Sequence, residues 1–337
     1  MQFVDFFSGI GGIRLGLERA GHKCVGWCEF DKFARKSYEA MFNTKGEWTS
    51  VDVRTVKPYD VPTADLWTFG FPCQDISVAG KQKGLQKGAR SGLFYEIMRL
   101  LAGRRQEDKP GWLLIENVKN LLSIGNGFDF ARVLLELGGL GYECEWQVLN
   151  SKDFGVPQNR ERVFVVGHLG GIGRRKVFPI AAAGGENPCR MQEITKGVHR
   201  AYRLYDTAGL SCTLSAVGGG GGEKTGLYAV PVLTPEREEK RQKGRRMKEP
   251  GEPMFTLTAQ DRHGVAIKID SIRIRRLTPR ECWRLQGFSD DCFDKAKAAG
   301  ISDNQLYKQA GNAVTVNVAE AIGNILKEVA HESKAAY

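Results

Sequence analysis

A doubly wound α/β domain carrying a smaller, loop-rich β domain is the fold that the sequence predicts. Three observations carry this expectation. From residue 2 to about residue 170, short apolar runs that stop at glycines or acids alternate with stretches of helical periodicity. Such runs read as buried strands of a parallel sheet. From about residue 175 to 272 the alternation ceases, and five consecutive glycines at 218–222 and a basic cluster at 240–248 take its place. Dense patterning then returns, ending in a helix whose apolar side must dock, most simply on the first domain. The expected division is therefore residues 1–174 with 273–337, and residues 175–272.

In chain order, the run Gln2 to Phe7 stops at Ser8-Gly9-Ile10-Gly11-Gly12, after which Ile13, Leu17 and Ala20 recur at helical spacing and Gly21 is placed to end the helix. A strand, a glycine turn and a helix let backbone approach a ligand and aim a helix amino terminus at it. Glu29 closes the next strand, Cys24 to Cys28, where an acid can bind ribose hydroxyls. That spacing suits a nicotinamide cofactor equally. The dinucleotide fingerprint, however, wants a third glycine where Arg14 stands. Asp52 either caps a turn, its ordinary use, or accepts from an adenine amino group.

The apolar run Ala64 to Phe69 delivers Gly70-Phe71-Pro72-Cys73-Gln74 to the carboxyl rim of the sheet, where open α/β sheets place their chemistry. Cys73 is the candidate nucleophile, and the small residues after it, including Ser77, suit a loop that moves over a substrate. A helix at Leu93–Leu101 leads to the strand Trp112–Ile115, which brings Glu116 to the same rim. After a helix at Phe128–Leu137 and a strand at Glu143–Asn150 comes Gln158-Asn159-Arg160-Glu161-Arg162. Two arginines at period two are expected to share one strand face, where they could bind a base carbonyl and a phosphate.

The 175–272 region is net positive and holds an internal echo: Leu210 to Ala216 resembles Pro253 to Ala259, each followed by glycine and a short β-like run. In the tail, Thr278, Pro279 and Glu281 form the signature of a capped helix start. Gln309-Ala310-Gly311-Asn312-Ala313-Val314 leads into the last helix, with Val314, Val318, Ala321, Ile322 and Ile325 on one side.

Composition narrows the classes. The chain has 337 residues, 42% hydrophobic, and a net charge of +10, so a polyanionic partner is expected. Eight scattered cysteines without a Cys-x-x-Cys pair, and five histidines, indicate neither a zinc cluster nor a disulfide framework and fit a reducing cytoplasm. No apolar run is long enough to span a bilayer, and the amino terminus lacks the pattern of a signal peptide.

Six segments in order resemble motifs of the DNA (cytosine-5)-methyltransferases of bacteria and phages: Phe7 to Gly12, Pro72-Cys73-Gln74, Glu116-Asn117-Val118, Gln158 to Arg162, Arg276 to Glu281 and Gln309 to Val314. The resemblance implies a Rossmann-like S-adenosylmethionine-dependent methyltransferase domain with a target-recognition domain, S-adenosylhomocysteine as product, and no metal. It assigns Cys73 to attack on cytosine carbon 6, Glu116 to ring nitrogen N3 and Arg162 to O2. Arg160 joins the catalytic group as support for the site or a phosphate. Phe7, Gly9, Gly11, Gly12, Asn312 and Val314 fall to the methionine end and its surroundings. Glu29 falls to the ribose, Phe30 to stacking on adenine, and Asp52 to its amino group, with Val53 and Pro72 in the same set. Double-stranded DNA is the implied partner, contacted by Gln74 and Ser77 at the flipped base and by Thr213, Thr256, Gln260 and Arg262 in the recognition domain. A separately acting restriction endonuclease is compatible with this function. The alternatives are the tRNA-methylating branch of the family and a DNA-binding relative without catalysis.

Overall fold

The computed structural model describes residues 1–71, 92–170, 176–181, 229–233, 247–248, 252–258, 263–268 and 272–335. The chain forms two compact units: Met1–Leu149 with Glu161–Ala181 and Val314–Tyr337, and Asn150–Arg160 with Ala182–Ala313.

The first unit is built on a seven-stranded sheet. Its strands are β1 (Gln2–Phe6), β2 (Lys23–Cys28), β3 (Trp48–Ser50), β4 (Leu66–Phe69), β5 (Trp112–Val118), β6 (Tyr142–Asn150) and β7 (Glu161–Leu169). They lie in the order β3-β2-β1-β4-β5-β7-β6, with β1 to β5 parallel and β7 antiparallel to β5. The four residues of β4 and Leu113 to Ile115 of β5 are buried, as strands covered on both faces require. This is the Rossmann-like α/β fold expected. Strand order reverses between β1 and β4, and a crevice for a ligand opens outside the carboxyl ends of such neighbours.

Helices α1 (Gly12–Arg19), α2 (Lys32–Met41), α3 (Leu93–Ala102) and α4 (Phe128–Gly139) follow strands or lead into them. Asp31 caps α2 by accepting from the N–H groups of Phe33 and Ala34. Gly21 ends the α1 turn at φ 88°. Arg14, where the dinucleotide pattern wanted glycine, is 3% exposed and pairs both guanidinium ends with the Glu47 carboxylate at 2.8 Å. It ties α1 to the chain entering β3, which a glycine could not do.

In the second unit, β8 (Ala229–Leu233), β9 (His263–Lys268) and β10 (Ile272–Arg276) form an antiparallel sheet in the order β10-β9-β8. The strands following the two echoed segments thus pair with each other. Three helices join this unit: α5 (Pro279–Arg284), α6 (Asp290–Ala298) and α7 (Asp303–Asn312). Thr278 and Glu281 complete the anticipated capping box. Trp283 is fully buried beside Phe288 and Phe293, and its indole N–H donates to the Leu306 carbonyl at 3.0 Å. Residues 272–313 therefore pack with the second unit, whereas sequence patterning had grouped 273–337 with the sheet. The reason is local: α5 to α7 carry their own aromatic core.

The last helix, α8 (Val316–Ala335), belongs to the first unit and packs on α1. Its buried stripe is Val318, Ala319, Ile322, Leu326 and Val329, while Ala321 and Ile325 are only partly covered. Contact is close because it is made through glycines. A methyl on Gly16 would fall 2.6 Å from the Ala319 Cβ, and one on Gly323 2.9 Å from the Ala20 Cβ. A methyl on Gly12 would collide with the Val314 carbonyl oxygen. Among the described residues no helix is long and apolar enough to cross a membrane.

One buried acid lies within the sheet. Asp5 on β1 is 1% exposed and accepts from the Thr68 hydroxyl of β4 at 2.6 Å, while its second oxygen has no hydrogen-bond partner among the described residues. Burial pushes its carboxyl up from 3.8 to about 7. Between those values the native state keeps a proton that the unfolded chain has lost, so this group lowers stability as pH rises from about 4 to 7. Asp5→Asn keeps an acceptor for Thr68 and removes the titration. The melting temperature of the variant minus that of the wild type is expected to increase between pH 5 and pH 8. A difference that stays flat across that range would show that Asp5 is ionised in the native state at pH 5. Gly12→Ala is expected to cost about 1–3 kcal/mol through overpacking against the Val314 carbonyl. An unchanged denaturant midpoint would refute that close approach.

Candidate active site

The turn after β1 holds three residues at positive φ: Phe7 at 54°, Gly9 at 56° and Gly11 at 81°. Phe7 is the unusual one, because a side chain there is strained and the surroundings must impose the conformation. They do so by hydrogen bonds. The Ser8 N–H donates to the Cys28 carbonyl at 3.1 Å and the Gly11 N–H to the Ser8 carbonyl at 2.8 Å. Glu29 accepts from the Gly9 N–H at 2.8 Å and from the Asp31 N–H at 2.7 Å, one to each carboxylate oxygen. Burial pushes the Glu29 carboxyl above the usual carboxylate range, opposed by those N–H groups. A methyl on Gly9 would meet nothing within 4 Å, so open space lies beside the turn. Gly11 precedes α1 and gives it no side-chain cap.

At the ends of β2 and β3 stand Phe30 and Asp52. The Phe30 ring is 67% exposed, with the Arg54 guanidinium 5.9 Å from its centre. Asp52 caps the short 3₁₀ turn Val53–Thr55, accepting from the Arg54 N–H at 3.0 Å and from the Arg54 guanidinium. The hydrogen bond from the Arg54 side chain holds the Asp52 carboxyl below its ordinary range. Its ordinary use as a turn cap is therefore present. Val53 is buried behind it. Asn312 is exposed at the end of α7, and Val314 is partly buried where its carbonyl covers Gly12.

Beyond β4, the backbone at Gly70 lies beside Glu116. Phe69 and Ile115 are paired in register, so the residues that follow them are neighbours on the rim. A methyl on Gly70 would stand 3.2 Å from Glu116 Oε2, which is why glycine gives the carboxylate its room. Glu116 Oε1 pairs with Arg162 Nε at 3.1 Å across β5 and β7, both side chains less than one fifth exposed. Asn117, buried next to Glu116, donates to the Phe71 carbonyl at 3.2 Å and so fixes the chain two residues before Cys73. The sequence marked Asn117 only as part of a motif. A short amide directly after a strand-end acid was the available signal for this anchor.

Pro72, Cys73, Gln74, Ser77, Thr213, Gln260 and Arg262 lie outside the described residues. Among the cysteines that are described, burial pushes the thiols of Cys24, Cys28, Cys144 and Cys282 up to about 12, which leaves them protonated and inert at neutral pH. Among the described residues no cluster of His, Cys, Asp and Glu could hold a metal ion.

Two placements correct the sequence reading. Arg160 and Arg162 do not share a strand face, because β7 begins at Glu161. Arg160 is 3% exposed and its guanidinium donates to the carbonyls of Leu257 at 2.9 Å, Ala313 at 2.9 Å and Gly311 at 3.4 Å. Three carbonyls thus occupy the group for which support of the site or of a phosphate had been expected. Thr256, expected to face DNA, donates its hydroxyl to the Asn159 carbonyl at 2.6 Å. Met254 and Gln158 form a parallel bridge beside it, so the segment is docked on residues 157–160.

Comparison with known proteins finds relatives that match nearly the whole chain. The orphan methyltransferase M.SPBetaI of Bacillus phage SPbeta is 35% identical, over 96% of each chain. The type II methyltransferase M.Bsp6I of Bacillus sp. (strain RFL6) is 34% identical, over 98% of this chain and 99% of that one. The solved structure of the Entamoeba histolytica methyltransferase EhMeth shares the fold, with a TM-score of 0.62 at 17% identity over 97% of this chain and 98% of that one. The family model for C-5 cytosine-specific DNA methylases matches residues 1–328, and the chain belongs to that family.

Proposed function

We propose that this protein transfers a methyl group to carbon 5 of a cytosine in a specific sequence of double-stranded DNA. The observation that carries this reading is the Glu116–Arg162 pair beside Gly70 and Phe71, two residues before Cys73. Cytosine presents N3 and O2 side by side on one edge, and a carboxyl group next to a guanidinium suits that edge.

Carbon 5 of cytosine is a poor nucleophile. The Cys73 thiolate adds to carbon 6, forming an S–C6 bond and moving the ring electrons toward carbon 5. Glu116 holds a proton at N3 and Arg162 donates to O2, so the charge that develops on the ring is met by groups already in place. S-adenosylmethionine, when bound, would supply a sulfonium methyl for carbon 5 and be left as S-adenosylhomocysteine; loss of the carbon 5 proton to a base then expels the Cys73 thiolate, breaking the S–C6 bond and restoring the ring. A stacked base exposes neither face to a thiolate, so the cytosine is flipped out, with Gln74 and Ser77 at the vacated position.

The turn after β1 supports the cofactor assignment. The open space at Gly9 and the uncapped start of α1 suit the methionine carboxylate. The Glu29 carboxylate accepts from the Gly9 and Asp31 N–H groups and retains capacity for a ribose hydroxyl. The exposed Phe30 ring suits an adenine face, and Asp52 would share its carboxylate between Arg54 and the adenine amino group. Recognition falls to the second unit, with Arg262 a reader of guanine and Gln260 of adenine through two-point contacts, and Thr213 close by.

The test is methylation of random duplex DNA followed by bisulfite mapping, with tRNA as the competing substrate. A sequence-specific 5-methylcytosine pattern on DNA is expected, and modification of tRNA alone would overturn the reading. Cys73→Ser is expected to abolish transfer while DNA binding survives, because serine forms no anion at neutral pH. Glu116→Gln should lower turnover by about 10²–10⁴-fold with S-adenosylhomocysteine affinity unchanged. Loss of cofactor affinity alone would move Glu116 out of the catalytic role. Arg262→Ala should cost about 1–3 kcal/mol and relax the target at one position, and an unchanged consensus would remove it from base reading.

A further inference from the structure

Arg160 is held through both its backbone and its side chain. Its N–H donates to Asn150 Oδ1 at 3.0 Å, its carbonyl accepts from the Ser151 N–H at 3.0 Å, and its side chain meets the carbonyls of Leu257, Gly311 and Ala313. A buried guanidinium is tolerated only when its donors are satisfied, and its planar fork dictates where the acceptors stand. Two of those acceptors lie at the carboxyl end of α7, where helix geometry leaves carbonyls without partners and a cation is favoured. Gln286 holds a third carbonyl there, Ala310, at 2.7 Å. At its other end the same network grips the 252–258 segment: Gln158 accepts the Leu257 N–H at 2.9 Å and donates to the Leu285 carbonyl at 2.7 Å.

The chain leaving α7 is Asn312-Ala313-Val314, and the Val314 carbonyl is the atom that covers Gly12. We propose that Arg160 is a positioning residue for the cofactor, setting Asn312 and Val314 through Ala313 and linking cofactor binding to the segment that carries Thr256 and Leu257. This rests on the reading that the chain binds S-adenosylmethionine. A single cation then holds both the exit from α7 and the 252–258 segment, so a ligand that restrains one end restrains the other.

Arg160→Lys keeps the charge but cannot span the separated carbonyls. Calorimetric titration with S-adenosylhomocysteine is expected to show affinity about tenfold below that of the wild type. Trp283→Phe serves as the structural control, since it removes the hydrogen bond to Leu306 and leaves the Arg160 contacts in place. It should lower the melting temperature without changing that affinity. Wild-type affinity in Arg160→Lys, or an equal loss in Trp283→Phe, would overturn the proposal. A second measurement needs no variant: S-adenosylhomocysteine should slow amide hydrogen exchange in residues 254–258 of the wild-type protein, and no slowing there would also overturn it. A wild-type protein that fails to bind S-adenosylhomocysteine would instead sink the cofactor reading itself.

Discussion

The pairing of β1 with β4 is the constraint on which the first unit depends. It places Asp5 opposite Thr68 and joins them by a buried hydrogen bond at the middle of the sheet. From that line the connections run in opposite directions, to β2 on one side and β5 on the other. The glycine turn after β1 and the Gly70-Phe71 turn after β4 therefore leave adjacent strands at the same end. Slipping that register would separate the turn wired to Glu29 from the rim that holds Glu116.

Around this line, small residues decide where backbones meet. Gly70 leaves room for the Glu116 carboxylate, Gly12 for the Val314 carbonyl, and Gly16 and Gly323 for the contact of α1 with α8. Each site lacks a side chain because another group occupies that volume. His22 adds polar closure by pairing with the Gly323 carbonyl at 2.8 Å. The last helix thus returns to the first domain through backbone proximity as much as through its apolar stripe.

The segment Gln158 to Arg162 divides its work between the units. Gln158, Asn159 and Arg160 bind backbone groups of residues 254–257, Leu285, Gly311 and Ala313, whereas Arg162 sits in β7 and pairs with Glu116. Two arginines two residues apart face opposite tasks, one a buried brace and the other a partner for an acid at the rim. The peptide bond between Arg160 and Glu161 is where the division falls.

Much of this was legible in the chain alone. Apolar runs ending at glycine or acid located β1, β2, β4 and β5, and helical spacing located α1, α3, α4 and α8, because burial on two faces or along one stripe writes itself as periodicity. The capping box at Thr278 and the turn at Gly21 depend on adjacent residues and were equally readable. Glu116 and Arg162 were legible as strand-borne residues, one near the end of β5 and the other at the start of β7. What needed the tertiary structure were partners far apart in sequence: Arg14 with Glu47, Asp5 with Thr68, and Arg160 with Leu257 and Ala313. Local pattern had placed Arg160 beside Arg162 and Thr256 toward DNA, and had grouped α5 to α7 with the sheet. Those assignments turn on which carbonyls and aromatic rings come within reach once the chain is folded, and no local period records that.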